Sequence, residues 1–216
     1  MKLELKKMNN DACNDYLNMC LLALNLIKKK DVCSIGDKIY ERNLMMNFAY
    51  QFGVNSASQN CKEAEERCYN LISGEIGKKI GSDEALQNWC RDNLQKAFSN
   101  SQPCVFPDFV IHGSYFDYRT ESQHLIVEAK TTHNLQFSQF AWDFAKLNRY
   151  VSKLNFQSSV YLIVGIDENK VNNFLKQFSQ YPQFPNIETS LSNIYIIIRK
   201  DMDAQVQLYK VIDSDS

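Results

Sequence analysis

The sequence lacks an excess of charge of either sign. Its 24 Lys and Arg stand against 25 Asp and Glu, a formal net charge of -1. A chain that gripped nucleic acid by bulk electrostatics would be strongly basic, so any polyanion must be met by a local patch. Long apolar runs are missing too. A membrane span needs about 20 apolar residues, and the most apolar early stretch, Tyr16 to Ile27, is shorter and broken by Asn18 and Asn25. The opening Met1-Lys-Leu-Glu-Leu-Lys-Lys lacks the apolar core of a signal peptide. A soluble, cytoplasmic protein with no membrane partner is expected. No Cys-x-x-Cys occurs among the seven cysteines, Cys13, Cys20, Cys33, Cys61, Cys68, Cys90 and Cys104. That excludes a zinc knuckle, and reduced, mostly buried thiols are expected. The segment Gly74-Glu-Ile-Gly77-Lys78-Lys79 lacks both the spacing and the Ser or Thr of a phosphate-binding loop. Internal repeats, low-complexity tracts and recognisable Ser or Cys nucleophile arrangements are also absent.

What is present is an ordinary globular composition, 44% apolar over 216 residues, enough for one core. The first hundred residues read as helical. Leu17, Cys20, Leu21, Leu24 and Ile27 recur at helical spacing, with Lys28 to Lys30 at the C-terminal end, where cations suit the helix dipole. A second helix is expected from near Asp37 to a stop at Gly53, a third from Ser58 to Ile72, and a fourth after Ser82. The pattern then changes. Val105–Ile111 and Leu125–Ala129 read as strands, Ser138–Leu154 as a helix, Val160–Ile166 as a buried strand and Lys170–Phe178 as a helix. Ile194–Ile198 follows as a strand and Val206–Val211 as an edge strand. The expected fold is α/β, a mixed central sheet flanked by helices with a helical N-terminal part. Residues 1–36 would form a helical extension and residues 37–216 the main domain, with 54–103 as a helical insertion.

The chemistry concentrates in Phe106-Pro107-Asp108-Phe109-Val110 and Leu125-Ile126-Val127-Glu128-Ala129-Lys130. Residues two apart in a strand share a face, about 7 Å apart, so Glu128 and Lys130 project together. If the two segments pair as a hairpin, Asp108 sits beside Glu128. Two neighbouring carboxylates repel, and burial disfavours their charged forms. A hard divalent cation such as Mg²⁺ or Mn²⁺ relieves both problems and lowers the pKa of a bound water. Lys130 is then placed to orient that water or to stabilise charge on a phosphate, and the Ala129 backbone carbonyl to add a metal ligand. The bare acid-x-Lys string is weak, since it recurs at Glu4-Leu-Lys6 and Glu168-Asn-Lys170. The apolar strand around Glu128 is what sets it apart.

Pro107-Asp108 followed by Glu128-Ala-Lys130 resembles the signature of the PD-(D/E)XK nuclease superfamily. The resemblance covers roughly Asp37 to Ile166. It implies a restriction-endonuclease-like fold and metal-dependent hydrolysis of nucleic acid, DNA rather than RNA. It also implies that Glu41, on the segment Tyr40-Glu41-Arg42-Asn43-Leu44, presents an acidic side chain to the metal site. Many members carry Gln-x-x-x-Tyr on the helix after the lysine strand. Here Lys146 and Tyr150 hold that spacing within Asp143-x-x-Lys146-Leu147-x-x-Tyr150, so lysine replaces glutamine. Contact of Lys146 and Tyr150 with substrate phosphates is expected, and Gln139 is a further candidate to face the site. Cutting both strands of a duplex often takes two sites, which leaves a homodimer open.

Other residues have blander readings. Arg149 and Lys153 read as a solvated helix face. His112, His124 and His133 flank the expected hairpin, and a general base among them is conceivable, but their spacing matches no metal motif. Two alternatives to a nuclease stand: a non-catalytic nucleic-acid or protein binding module on the same fold, and a phosphoesterase for small nucleotides.

Overall fold

The computed structural model describes residues 2–8, 14–32, 39–58, 71–73, 88, 92, 107–112, 123–181 and 191–214. Its strands are β1 (Leu3–Lys7), β2 (Leu71–Ser73), β3 (Phe109–His112), β4 (Gln123–Thr131), β5 (Ser158–Val164), β6 (Ile194–Arg199) and β7 (Gln207–Asp213). Its helices are α1 (Asp15–Leu26), α2 (Lys29–Val32), α3 (Glu41–Ser58), α4 (Phe137–Leu154) and α5 (Glu168–Phe178). The strands form one seven-stranded sheet in the order β1-β7-β6-β5-β4-β3-β2. β4, β5 and β6 run parallel; β2–β3, β3–β4, β6–β7 and β1–β7 pair antiparallel. The molecule is therefore a mixed-sheet α/β protein, as the alternation of patterns predicts.

Parallel strands need helical crossovers, and α4 and α5 supply them between β4, β5 and β6. Both helices lie on one face, where Phe140, Phe144, Leu147, Tyr150, Val171 and Leu175 pack on Ile126, Tyr161, Ile163 and Ile196. The other face carries α1 and α3, whose Leu17, Leu24, Leu44, Phe48 and Phe52 pack on Phe109, Val127, Leu162 and Ile197. A sheet covered on both faces explains why β5 and β6 read as continuous apolar runs rather than alternating ones. No described helix is long and apolar enough to cross a membrane.

Several expectations are corrected. Leu3–Lys7 is a strand, not part of a helical extension: Leu3 and Leu5 alternate with Glu4 and Lys6 at period two, and five residues suffice to pair with β7. β7 is consequently interior, and β1 is the edge. α3 runs on through Gly53 to Ser58. Leu71–Ser73, expected at the end of a helix, pairs with β3 instead. The lysines after α1 do not close it. α1 ends at Leu26, and the cation at its C-terminus is Arg199 of β6, whose guanidinium donates to Leu24 O at 2.8 Å and Ile27 O at 3.0 Å. Arg149, expected in solvent, is buried. Most of the expected insertion, the fourth helix apart from Asn88 and Asp92, which are helical, and six of the cysteines lie outside the described residues; Cys20 is buried in the α1 side of the core.

Candidate functional site

The register of β3 on β4 decides what meets. Phe109 pairs with Val127, which places Asp108 across from Glu128. Phe109 and Val127 face α1 and α3, so by alternation Asp108, Glu128 and Lys130 belong to the α4 face. The Asp108 N–H donates to Val127 O at 3.1 Å, and its Oδ2 accepts from Ala129 N at 2.7 Å. This anchors the Asp108 carboxylate to the β4 backbone. Its Oδ1 has no hydrogen bond among the described residues.

Glu128 is 2% exposed and lies beneath α4. Its Oε1 accepts from Tyr150 Oη at 2.9 Å and its Oε2 from Lys146 Nζ at 2.6 Å. Asp143 is equally buried. Its Oδ1 lies 2.9 Å from Lys146 Nζ, while its Oδ2 accepts from Tyr161 Oη at 3.1 Å and lies 3.5 Å from Lys130 Nζ. Asp143, Lys146 and Tyr150 share one face of α4 because three and seven residues are close to whole turns. Tyr161 joins them because its β5 position pairs with Glu128. Lys130 Nζ reaches outward as well, to both Glu41 oxygens at 3.4 Å and to Ala129 O at 3.1 Å. Glu41 arrives as the first residue of α3. The preceding turn is tied to the end of β4, where Thr131 Oγ1 donates to Ile39 O at 3.2 Å.

The cluster thus runs from a buried floor, Glu128 and Asp143, to a rim at the carboxyl end of β4. At that rim the Lys130 and Glu41 side chains are 24% and 37% exposed. The carboxyl ends of parallel strands are the usual position for ligand sites in open α/β sheets. Burial raises the carboxyls of Glu41 and Asp108, and the Ala129 N–H and nearby lysines only partly offset it at Asp108. Glu128 is pushed up to about 8, first by burial, with Lys146 pulling the other way. Burial lowers Lys146, but Glu128 and Asp143 outweigh it and leave the ammonium above its ordinary range. The short Lys146 contact favours an ionised Glu128 and burial favours a neutral one. Burial is the larger effect on Glu128, and the two carboxylates favour the charged form of Lys146.

The expected site residues separate into two groups. Asp108, Glu128, Lys130 and Glu41 come together at the β4 rim. Lys146 and Tyr150 lie against Glu128, buried, rather than presented to a substrate. Gln139 is exposed in the first turn of α4, where its Oε1 accepts from Gln136 N at 3.2 Å. It caps the helix and makes no contact with the cluster. His133 is exposed with Nδ1 2.8 Å from Gly165 O, and His124 stacks on Tyr16. Asp143 and Tyr161 escaped the sequence reading as site residues. Helical spacing from Lys146 could have found Asp143, whereas Tyr161 needed the β4–β5 register.

Among the described residues no three His, Cys, Asp or Glu side chains group closely enough to hold a metal by themselves. The available donors are the Asp108 and Glu128 carboxylates and the Ala129 carbonyl. That all-oxygen set fits a hard cation that keeps most of its water, such as Mg²⁺ or Mn²⁺, and does not fit zinc. A cavity of 580 Å³ lies elsewhere, between β1 and the start of α5, lined by Asn172, Gln207 and Tyr209 among others. It carries none of these groups. No family model, no curated protein and no solved structure matches the chain.

Proposed function

We propose that the chain is a metal-dependent nuclease of the PD-(D/E)XK type, hydrolysing phosphodiester bonds of nucleic acid, DNA in preference to RNA. One observation carries this reading: Asp108 and Glu128 stand opposite each other on one face of the β3–β4 hairpin, with Lys130 at its accessible rim. Asp108, Glu128 and the Ala129 carbonyl would hold Mg²⁺ or Mn²⁺, and Glu41 would tune the site through Lys130. A bound dication supplies Lewis acidity toward phosphate oxygen and acidifies a coordinated water. The remaining work belongs to the chain. Lys130, pinned between Asp143 and Glu41, presents its ammonium at the rim, where it orients water or offsets charge growing on the phosphate. In hydrolysis a water oxygen bonds to phosphorus, one ester oxygen leaves with the electron pair, and a proton reaches that oxygen. Lys146 and Tyr150 hold the Glu128 carboxylate in place. The DNA preference and the restriction-endonuclease-like fold rest on the sequence signature.

The test is a cleavage panel over linear and circular duplex DNA, single-stranded DNA, RNA and small nucleotide esters, with Mg²⁺ and with Mn²⁺. Ion-dependent polymer cleavage is expected. Lys130→Ala should lower it at least about a hundredfold while circular dichroism stays native. Cleavage of small esters alone would change the substrate class. Undiminished cleavage by the variant would remove Lys130 from the mechanism.

A second reading has its own observation. Both Glu128 oxygens are already engaged by the chain's own Lys146 and Tyr150, as in a binding module that does no chemistry. The two readings part in a Mn²⁺ titration of thermal stability, because an ion that binds the native state raises the midpoint with concentration. A flat titration together with an inactive panel favours the module.

A further inference from the structure

The dication reading uses Lys146 to hold Glu128 and Asp143 to pin Lys130, and leaves the contact between Asp143 and Lys146 themselves without a purpose. Lys146 Nζ lies 2.6 Å from Glu128 Oε2 and 2.9 Å from Asp143 Oδ1, bridging two carboxylates as a metal ion would. A lysine serving only to neutralise Glu128 would need no second carboxylate at equal range. Among the described residues, and with every group ionised, Asp108, Glu128, Asp143 and Glu41 carry four negative charges against two positive ones on Lys130 and Lys146, a net of minus two. One dication balances that sum.

We propose that Lys146 is a resident cation of the cluster, occupying the Glu128–Asp143 side so that the site takes a single divalent ion on the Asp108 side. This rests on the metal-dependent reading above. It explains why glutamine is not required at this position of α4. A neutral amide there would leave Glu128 and Asp143 uncompensated, and their excess charge would have to be met by a tighter or a second ion. The geometry assigns Asp143 a linked task, because it accepts from Lys146 through one oxygen and lies against Lys130 through the other. It holds the resident ammonium and the rim ammonium at a fixed separation.

The experiment is calorimetric titration of the whole chain with Mn²⁺ alone, no nucleic acid present, at matched pH. Wild type should bind one ion. Lys146→Gln, with one positive charge removed beside the ion, should bind Mn²⁺ at least about tenfold more tightly, since a lost unit charge near a dication is felt even at the dielectric of water, or bind a second ion. The double variant Asp143→Asn with Lys146→Gln restores the net charge and should return to one ion with near wild-type affinity. If Lys146→Gln does not fold, the comparison moves to the Asp143→Asn background, where adding Lys146→Gln should tighten binding in the same sense. One ion bound equally well with and without Lys146 overturns the resident-cation assignment and leaves the nuclease reading standing. Binding by Lys146→Gln but not by wild type overturns both, since the assignment requires the wild-type site to hold one ion beside Lys146. Absence of binding in both overturns the two together.

Discussion

A carboxylate as buried as Glu128 survives inside an apolar layer only when its charge is matched or its proton retained. The structure provides for both: Lys146 for the ionised form and an apolar surround for the neutral one. A consequence follows for pH. The folded value of Glu128, pushed up to about 8 by burial, exceeds its unfolded value, so the folded protein binds that proton more tightly. The stabilising contribution is complete below about pH 4 and is lost as pH rises through about 8. In metal-free buffer the thermal midpoint should therefore decline from about pH 5 to about pH 8, and Glu128→Gln should decline less. Parallel slopes in the two proteins would mean that Glu128 is ionised throughout. The residues of this cluster were legible to different degrees. Asp108, Glu128 and Lys130 announced themselves as charges interrupting apolar strands, a local signal. The burial of Lys146 and Tyr150 was not legible, because helical spacing shows which side chains share a face but not whether that face meets solvent or a buried glutamate.

At the scale of elements, the expected strands and helices of the second half fall within a few residues of those observed, because each carries a full apolar period. Failures gather where an element, or the end of one, borrows its stability from elsewhere. The C-terminal end of α1 is the clearest case. Its C-terminal carbonyls are satisfied by Arg199, 172 residues from Ile27, and no local pattern announces such a cap. The same guanidinium donates to Met202 O and Ala204 O, so one buried side chain joins the end of α1 to the turn after β6. Arg199→Met should strand several buried carbonyls and cost about 2–4 kcal/mol in chemical denaturation; a loss below about 0.5 kcal/mol, the level of an ordinary surface change, would contradict this role. Gly165 makes a parallel point. It sits at φ 109°, and a Cβ there would lie 2.9 Å from the Thr132 carbonyl carbon. The β4 and β5 ends meet at this contact, beside the lysine rim. Gly165→Ala should destabilise the fold by more than about 1 kcal/mol, and a neutral outcome would mean that this crossing relaxes freely.

Across the whole molecule, the sheet joins the two ends of the described chain. β1 lies along β7, Leu3 is fully buried, and Ser214 N donates to Lys2 O at 2.9 Å. The outer edge of β1 is not left open. Leu3 N donates to Ser179 Oγ at 3.0 Å and Leu5 N to Asn172 Oδ1 at 2.9 Å, so one side chain within α5 and one just beyond its end take up donors that would otherwise recruit another strand. Deleting residues 2–8 removes both this protection and the strand. Losing Leu3 alone forfeits about 1.5–3 kcal/mol of burial, and the newly exposed β7 offers an unpaired edge beside Tyr209 and Val211. The truncated chain should unfold at lower denaturant and self-associate in sedimentation velocity. Asn172→Leu is the milder counterpart: it strands one amide, so exchange at Leu5 should quicken while β5 amides stay protected. β1 lies at the far side of the sheet from β4, with three strands between them. Whatever fraction of truncated chain remains folded should therefore bind Mn²⁺ as the full chain does. A truncation that stayed monomeric and equally stable would make β1 an appendage. One that lost the ion while still folded would show that the charged cluster depends on the whole sheet rather than on the β3–β4 hairpin and α4.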